Sequence, residues 1–376
     1  MKSIKRVLTL AVVLAAGISA MACTSAIVGA ELNPYGRPIL WKHRDTSTID
    51  NKVEYVAPDA SGFGYVALFN AADKDLKEAW MGMNEAGFAV MNTASYNIKD
   101  DRVPAKNMDK EGLVMTMALR RCRTVDDFAA LLDSLPRPMG VEANFGVIDA
   151  TGNGAYFETN NHSFRRFDLK DEPSHLLVRT NYSHSGRPGE GYGFVREANA
   201  ECLLAPYAER GEITPELLTE NVSRTFYHDG RKRDFTMSGE KSLLDEDFIP
   251  RYKSTATIAI EGCRPILSAD SVDASFVAKE YVMWTGMGYP PVAEIRGVRC
   301  SRDGVDSGLR GSLPGGKCSL GVEARRLRDE VFRSEKKKKY IDVSKLYNAS
   351  GTGYAQKRIA DNHQIYLMEI KKRDGE

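Results

Sequence analysis

Read along the chain, β-rich apolar runs come first and helical periodicity second, followed by strands, helices and strands again. That order predicts an α+β fold of antiparallel sheets layered with helices, because a doubly wound parallel sheet would need a crossover helix after each strand. Two turn sequences, Asn33-Pro34-Tyr35-Gly36 and Thr151-Gly152-Asn153-Gly154, stand between apolar runs and join neighbouring strands directly, as antiparallel hairpins require.

The elements follow in order. Thr24 to Ala30 and Pro38 to Arg44 are β-rich and flank the first turn, so they read as a hairpin. Tyr65 to Phe69 and Phe88 to Met91 continue the strand pattern, the second entered through Asn84-Glu85-Ala86-Gly87. Leu113 to Arg121 suits a helix, and Thr124 opens another in which Val125, Phe128, Leu132 and Leu135 share one face until Pro136 stops it. Asn144 to Ala150 and Ala155 to Glu158 flank the second turn, and Leu176 to Thr180 is a further apolar run. A second helical block begins near Phe194 and includes Thr214-Pro215, an N-cap with proline at the first helical position. Thr255 to Ile260 and Glu280 to Trp284 read as strands. Residues 301–319, rich in Gly, Ser and Arg, read as a mobile loop; Glu323 to Lys339 reads as a charged helix ending in Lys336 to Lys339; Ile365 to Ile370 reads as a closing strand.

Composition excludes several functions. The 376 residues carry 52 Lys plus Arg against 51 Asp plus Glu, which leaves no basic excess for nucleic acid. An apolar fraction of 42% supports a buried core and argues against disorder. Six scattered cysteines, without a CxxC pair, suit neither a disulfide scaffold nor a zinc site, and no metal or cofactor is expected.

The chain opens as an export signal. Lys2, Lys5 and Arg6 precede an uncharged apolar stretch from Val7 to Ile18, too short to span a membrane comfortably, and Ala20 and Ala22 supply the small residues of a cleavage site. Residues 1–22 are therefore expected to be a signal peptide and 23–376 one domain, exported to a periplasm or the exterior, with no transmembrane segment. Cleavage would make Cys23 the first residue. An α-amino group titrates near pH 8, so beside its own thiol it can act as a general base where a lysine cannot. The competing reading of a cysteine here is a lipid anchor on a non-catalytic binding protein, although Ala20 stands where a lipoprotein signal usually has leucine. None of the six histidines stands in a context that marks a papain-like partner.

Cys23-Thr24-Ser25-Ala26-Ile27-Val28 followed by Ile39-Leu40-Trp41-Lys42-His43-Arg44-Asp45 resembles the start of cysteine N-terminal nucleophile (Ntn) hydrolases of the linear amide type: penicillin V acylase, choloylglycine hydrolase and especially the acyl-CoA:6-aminopenicillanate acyltransferase family. Residues Gly82 to Asn92, Thr180-Asn181 and Ser254 to Gly262 extend the resemblance over most of the chain. It implies a four-layer αββα sandwich and a linear-amide hydrolase acting through an acyl-thioester on a small-molecule N-acyl substrate. A dipeptidase of the same superfamily and an acyltransferase are the enzymatic alternatives. The composition leaves a homo-oligomer open.

The resemblance assigns roles residue by residue. Cys23 would be the nucleophile, Asp45 would orient its amine, and Asn92 and Asn181 would hold the oxyanion. Arg196 matches the later active-site arginine. Lys42 is the departure, since several relatives carry arginine three residues before the aspartate; it is a substrate-binding candidate that acts as a point charge without a guanidinium fork. Strand alternation points Arg44 away from Asp45. Trp41 and Tyr96 are candidates for an acyl pocket, with core packing as the alternative.

Overall fold

The structure, a computed structural model, describes residues 22–374. The expected export signal, up to Met21, lies outside the described residues. Strand β1 (Thr24–Val28) pairs antiparallel with β2 (Ile39–Asp45), with Thr24 opposite His43 and Val28 opposite Ile39. The turn between them is local chemistry: Asn33 Oδ1 accepts the Tyr35 N–H at 2.7 Å, and Gly36 takes φ 67°, a conformation that costs glycine little.

Seven consecutive strands form one antiparallel sheet in sequence order. They are β3 (Asn51–Val56), β4 (Tyr65–Asn70), β5 (Ala79–Asn84), β6 (Ala89–Ala94), β7 (Ala143–Ile148), β8 (Gly154–Thr159) and β9 (Phe164–Asp168). After β10 (Leu176–Arg179) come three two-residue strands, β11 (Tyr227–His228), β12 (Arg233–Asp234) and β13 (Leu243–Leu244). Three longer strands follow, β14 (Ser254–Glu261), β15 (Val282–Met287) and β16 (Ile295–Val298), and the other large sheet runs β10-β1-β2-β14-β15-β16.

The two sheets pack face to face. Ile27 and Leu40 enter the core between them, and Ser25 Oγ meets the Tyr156 hydroxyl at 2.8 Å across the gap. Helices α1 (Glu111–Arg121) and α2 (Val125–Ser134) cover the outer face of the seven-stranded sheet. A capping box fixes the start of α2, with Thr124 Oγ1 accepting from Asp127 N and the Asp127 carboxylate accepting from Thr124 N. On the other outer face, Ala26, Val28, Ile39 and Trp41 pack under α3 (Phe194–Ala208), the Leu217–Val222 π-turn and the C-terminal helix. The layers are therefore helix, sheet, sheet, helix, the αββα sandwich. Among the described residues no helix is long and apolar enough to cross a membrane.

The C-terminal third departs from the sequence expectation. After the short α4 (Ala274–Glu280) and then α5 (Ser319–Val331), the charged stretch turns into a hairpin of β17 (Phe332–Glu335) and β18 (Lys338–Ile341), and β18 also pairs with β13. The lysine run is thus a β-turn and its second strand, not a helix end. Past α6 (Val343–Leu346), the segment expected as a closing strand lies inside the helix α7 (Tyr354–Asp374). Its inward stripe is Ala355, Asn362, Tyr366 and Arg373, which is half polar and hides the helical period; Tyr366 stacks on Trp284 with ring centroids 4.4 Å apart. Residues 301–319, expected as a mobile loop, hold buried Leu309 and are tied to β3 by Val53 N donating to Leu309 O and Gly311 N donating to Glu54 Oε1.

Candidate active site

Cys23 stands at the head of β1, where the two faces of the sheet meet one residue. Ser25, Lys42 and Arg44 point toward the facing sheet, while Thr24, Trp41, His43 and Asp45 point toward the helical layer. Cys23 itself is only 2% exposed, and its Sγ lies 3.7 Å from the backbone carbonyl of Asp45. The peptide that links it to Ala22 is gripped by two guanidiniums. Arg196 Nη1 donates to Ala22 O at 3.2 Å and Cys23 O at 2.6 Å, and Arg251 Nη2 donates to Ala22 O at 2.9 Å.

Arg196 reaches this point because of how α3 begins. Gly193 precedes the helix with φ 95°, and a Cβ there would lie 2.4 Å from Arg196 Nη2 and 2.8 Å from Thr180 Oγ1. The side chain continues to Thr24 Oγ1 at 3.1 Å and to Asn181 Oδ1 at 2.9 Å. Burial, aided by nearby Arg251 and opposed by the pull of Asp45 and Cys23, lowers its pKa to about 10. It therefore remains a cation at neutral pH.

Asp45 is held on the same helical side. Its Oδ2 accepts from Arg251 Nε at 3.1 Å, and its Oδ1 accepts from Ser254 Oγ at 2.6 Å. Burial works against the Arg251 cation, but the charge and hydrogen bond of Asp45 together with the charges of Asp245 and Asp247 outweigh it and the guanidinium pKa rises. His43 Nε2 sits 2.8 Å from Ser254 Oγ and 3.6 Å from Asp45 Oδ1. Burial drives the His43 pKa down to about 4 despite that carboxylate, so the imidazole is neutral at neutral pH and serves to position Ser254.

Lys42 occupies the other face. Its Nζ donates to Trp80 O and to Asn92 Oδ1, both at 2.9 Å, and the residue is 2% exposed. Burial, with a pull upward from Cys23 and a push downward from Arg44, drops its pKa to about 7. Because Lys42 claims Asn92 Oδ1, the amide is oriented with Nδ2 as the free end, and that buried Nδ2 has no hydrogen-bond partner among the described residues. A buried unpaired donor is costly, and such an N–H is able to donate to an oxygen on which negative charge develops. Asn181 Nδ2 donates to Ala94 O at 2.9 Å, leaving one of its two hydrogens.

Cys23, Asp45, Asn181 and Arg196 are thus connected through shared contacts, while the Lys42–Asn92 pair relates to them through the charge interaction of Lys42 with Cys23. Arg44 faces away from Asp45 and binds Asn51 and Asn70 while lying over Trp80. Trp41 does not join the site: it is fully buried in the helix-side core, and its Nε1 donates to Thr257 Oγ1. Tyr96 is half-buried and packs edge-on against Tyr192, which lines a cleft of about 490 Å³ bounded by Ala22, Arg196 and Arg251. Sequence reasoning missed Arg251, the partner of Asp45 across 206 residues; its one signal was its place three residues before the Ser254 strand. It also missed the support that His43 and Ser254 give.

Part of this chain is similar to a known family. Residues 45–200 match the family described as acyl-coenzyme A:6-aminopenicillanic acid acyl-transferase. No curated protein matches the sequence. Among solved structures, conjugated bile acid hydrolase from Clostridium perfringens aligns with 76% of this chain and 95% of its own, at 11% identity and a TM-score of 0.42. Penicillin V acylase from Agrobacterium tumefaciens aligns over 74% and 86%, at 11% identity and a TM-score of 0.41. The Caenorhabditis elegans ortholog of N-acylethanolamine-hydrolyzing acid amidase aligns over 67% and 97%, at 12% identity and a TM-score of 0.40.

Proposed function

We propose that this chain belongs to the Ntn-hydrolase superfamily, in its acyltransferase, acylase and choloylglycine-hydrolase branch, and is an exported amidohydrolase that cleaves a linear amide through Cys23. The observation that carries the reading is the setting of the Ala22–Cys23 peptide. The residue proposed to become the N-terminus stands at the head of a sheet strand, with Arg196 and Arg251 donating to the carbonyls on either side of its nitrogen and Asp45 bound to Arg251.

Release of residues 1–22 frees the α-amine of Cys23. Two guanidiniums within one carbonyl group of that nitrogen oppose its protonation, while Asp45 offsets part of this and orients it. A neutral amine is the form that can accept the thiol proton. The thiolate then attacks the amide carbonyl, and the tetrahedral oxyanion forms near the unpaired Asn92 Nδ2 and the remaining hydrogen of Asn181 Nδ2. Collapse breaks the C–N bond as the α-ammonium returns its proton to the leaving nitrogen, giving a free amine and an acyl-thioester on Cys23. Water, deprotonated by the same amine, adds to the thioester; the acid leaves and the thiol regains its proton.

The test is turnover of a panel of N-acyl amino acids, penicillin V, conjugated bile salts and dipeptides by the mature protein and its Cys23→Ser variant. Wild-type cleavage of a linear amide with loss in the folded variant is the expected result. Retained turnover in the variant defeats the nucleophile assignment, and cleavage of dipeptides alone favours the dipeptidase alternative.

A further inference from the structure

The lysine run at residues 336–339 has no part in the chemistry of Cys23, and its place in the fold gives it another use. The β17–β18 hairpin turns on Lys336 and Lys337, at φ 47° and 66°. Asn and Gly accept that left-handed backbone readily and lysine does not, so the turn itself does not select these residues. Lys336, Lys337 and Lys338 are exposed, and among the described residues none of the three has a carboxylate at ion-pair distance. Neighbouring basic residues are answered one by one: Arg333 by Glu335, Arg231 by Glu246 and Arg233 by Glu240. The hairpin tip is a block of unanswered positive charge.

The fold holds that tip in one place. The other edge of β18 pairs with β13, and Asp245 N donates to Lys339 O at 2.9 Å. Lys339 Nζ lies over the Tyr252 ring at 3.7 Å and donates to Ser334 Oγ. The tip thereby stands at the mouth of the cleft beside Cys23, which Lys337, Lys339 and Tyr192 line together. Asp245 and Asp247 line it too, with their charges acting on Arg251.

The aromatic residues of this rim are a second, independent observation. Tyr192 is 55% exposed, and Phe194, two residues on, is 43% exposed. Unpaired lysines beside large rings left in water suit the headgroup layer of an anionic bilayer, where ammonium groups meet lipid phosphates and rings settle at the acyl boundary. A soluble anionic polymer would use the lysines and leave the rings without a partner. Among the described residues no helix is long and apolar enough to cross a membrane, so contact of this kind is peripheral.

We infer that the lysine tip and the Tyr192–Phe194 rim form a docking surface for an anionic lipid bilayer, which sets the mouth of the cleft against the membrane. The surface does not depend on the chemistry of Cys23, so it stands or falls by binding alone.

Sedimentation of the exported protein with vesicles of phosphatidylcholine, or of phosphatidylcholine and phosphatidylglycerol in equal parts, is the test. The expected result is binding to the mixed vesicles at low salt, falling as salt is added, with little binding to phosphatidylcholine alone. The paired substitution Lys336→Asn and Lys337→Gly removes two charges and installs residues that the turn prefers, so the fold is kept. It should lower partition to the mixed vesicles by roughly tenfold or more, at about fivefold per lysine. Tyr192→Ser should lower it by about threefold or more and leave binding to dextran sulfate unchanged. Equal binding to both kinds of vesicle, or unchanged partition in the paired variant or in Tyr192→Ser, overturns the inference; a retained leader or an acyl anchor would give the first two of these. Capture by dextran sulfate without binding to vesicles assigns the lysines to a soluble polyanion and overturns it as well.

Discussion

Lys42→Met separates stability from catalysis and gives each a sign. Lys42 is buried, and its pKa falls from the ordinary 10.5 to about 7. Between those pH values the unfolded chain binds a proton that the folded chain does not, so the lysine's contribution to stability rises with pH across that window. Below pH 7 the folded state carries the full cost of a buried cation, about 5 kcal/mol at 1.36 kcal/mol per pH unit. Methionine removes that cost but leaves Trp80 O and Asn92 Oδ1 without their donor, at about 1–2 kcal/mol each. The expected balance at pH 6 is a gain of about 1–3 kcal/mol; by pH 10 it becomes a loss of similar size, with the crossing near pH 8 to 9. Urea unfolding of both proteins at pH 6, 8 and 10 reads this directly. Activity should fall roughly 100-fold at every pH, whatever the sign of the stability change, because Asn92 loses the partner that orients its amide. A Lys42→Met protein destabilised by the same amount at all three pH values would refute the reasoning, since the lysine would then carry no burial cost.

Other substitutions probe the remaining parts. Asp45→Asn leaves Arg251 without its carboxylate and should cost about 3–5 kcal/mol by urea unfolding, together with a loss of at least roughly 100-fold in kcat/KM. Asn92→Ala removes the unpaired Nδ2 and should lower kcat about 100- to 1000-fold with little change in KM. Tyr366→Ala opens the stack on Trp284 far from the cleft; it should lower stability by about 3–5 kcal/mol while kcat/KM in the surviving folded protein stays near wild type.

What the sequence made legible was local. The β1–β2 hairpin was readable because Asn33 and Gly36 close the turn with their own side chain and backbone, and α2 because Thr124 and Asp127 cap it within four residues. Helix α7 was hidden because its buried stripe includes Asn362 and Arg373, held by Glu220 and Glu261, so burial there follows distant polar partners and not hydrophobicity. The lysine hairpin was hidden because Lys336 and Lys337 carry no turn signal; its pairing with β13 fixes it from outside. In the site, residues adjacent on β2 were visible together, and alternation correctly separated Arg44 from Asp45. Arg251 was not, because nothing near it in sequence explains why an arginine stands there; only the fold brings Asp45 and the Ala22 carbonyl to it. The same alternation could have excluded Trp41, which lies one step from Lys42 and so faces the opposite layer.

The central claim is that Cys23 is the mature N-terminus and carries the acyl group. Intact and peptide mass spectrometry of the exported protein, quenched in acid during turnover of an N-acyl substrate, tests it most directly. The account predicts a chain beginning at Cys23 with a free amine, and an adduct of the acyl mass on the Cys23 thiol that hydroxylamine removes. A diacylglyceryl mass on Cys23, a retained leader in active protein, or an acyl adduct on exposed Cys202 with none on Cys23 would contradict it.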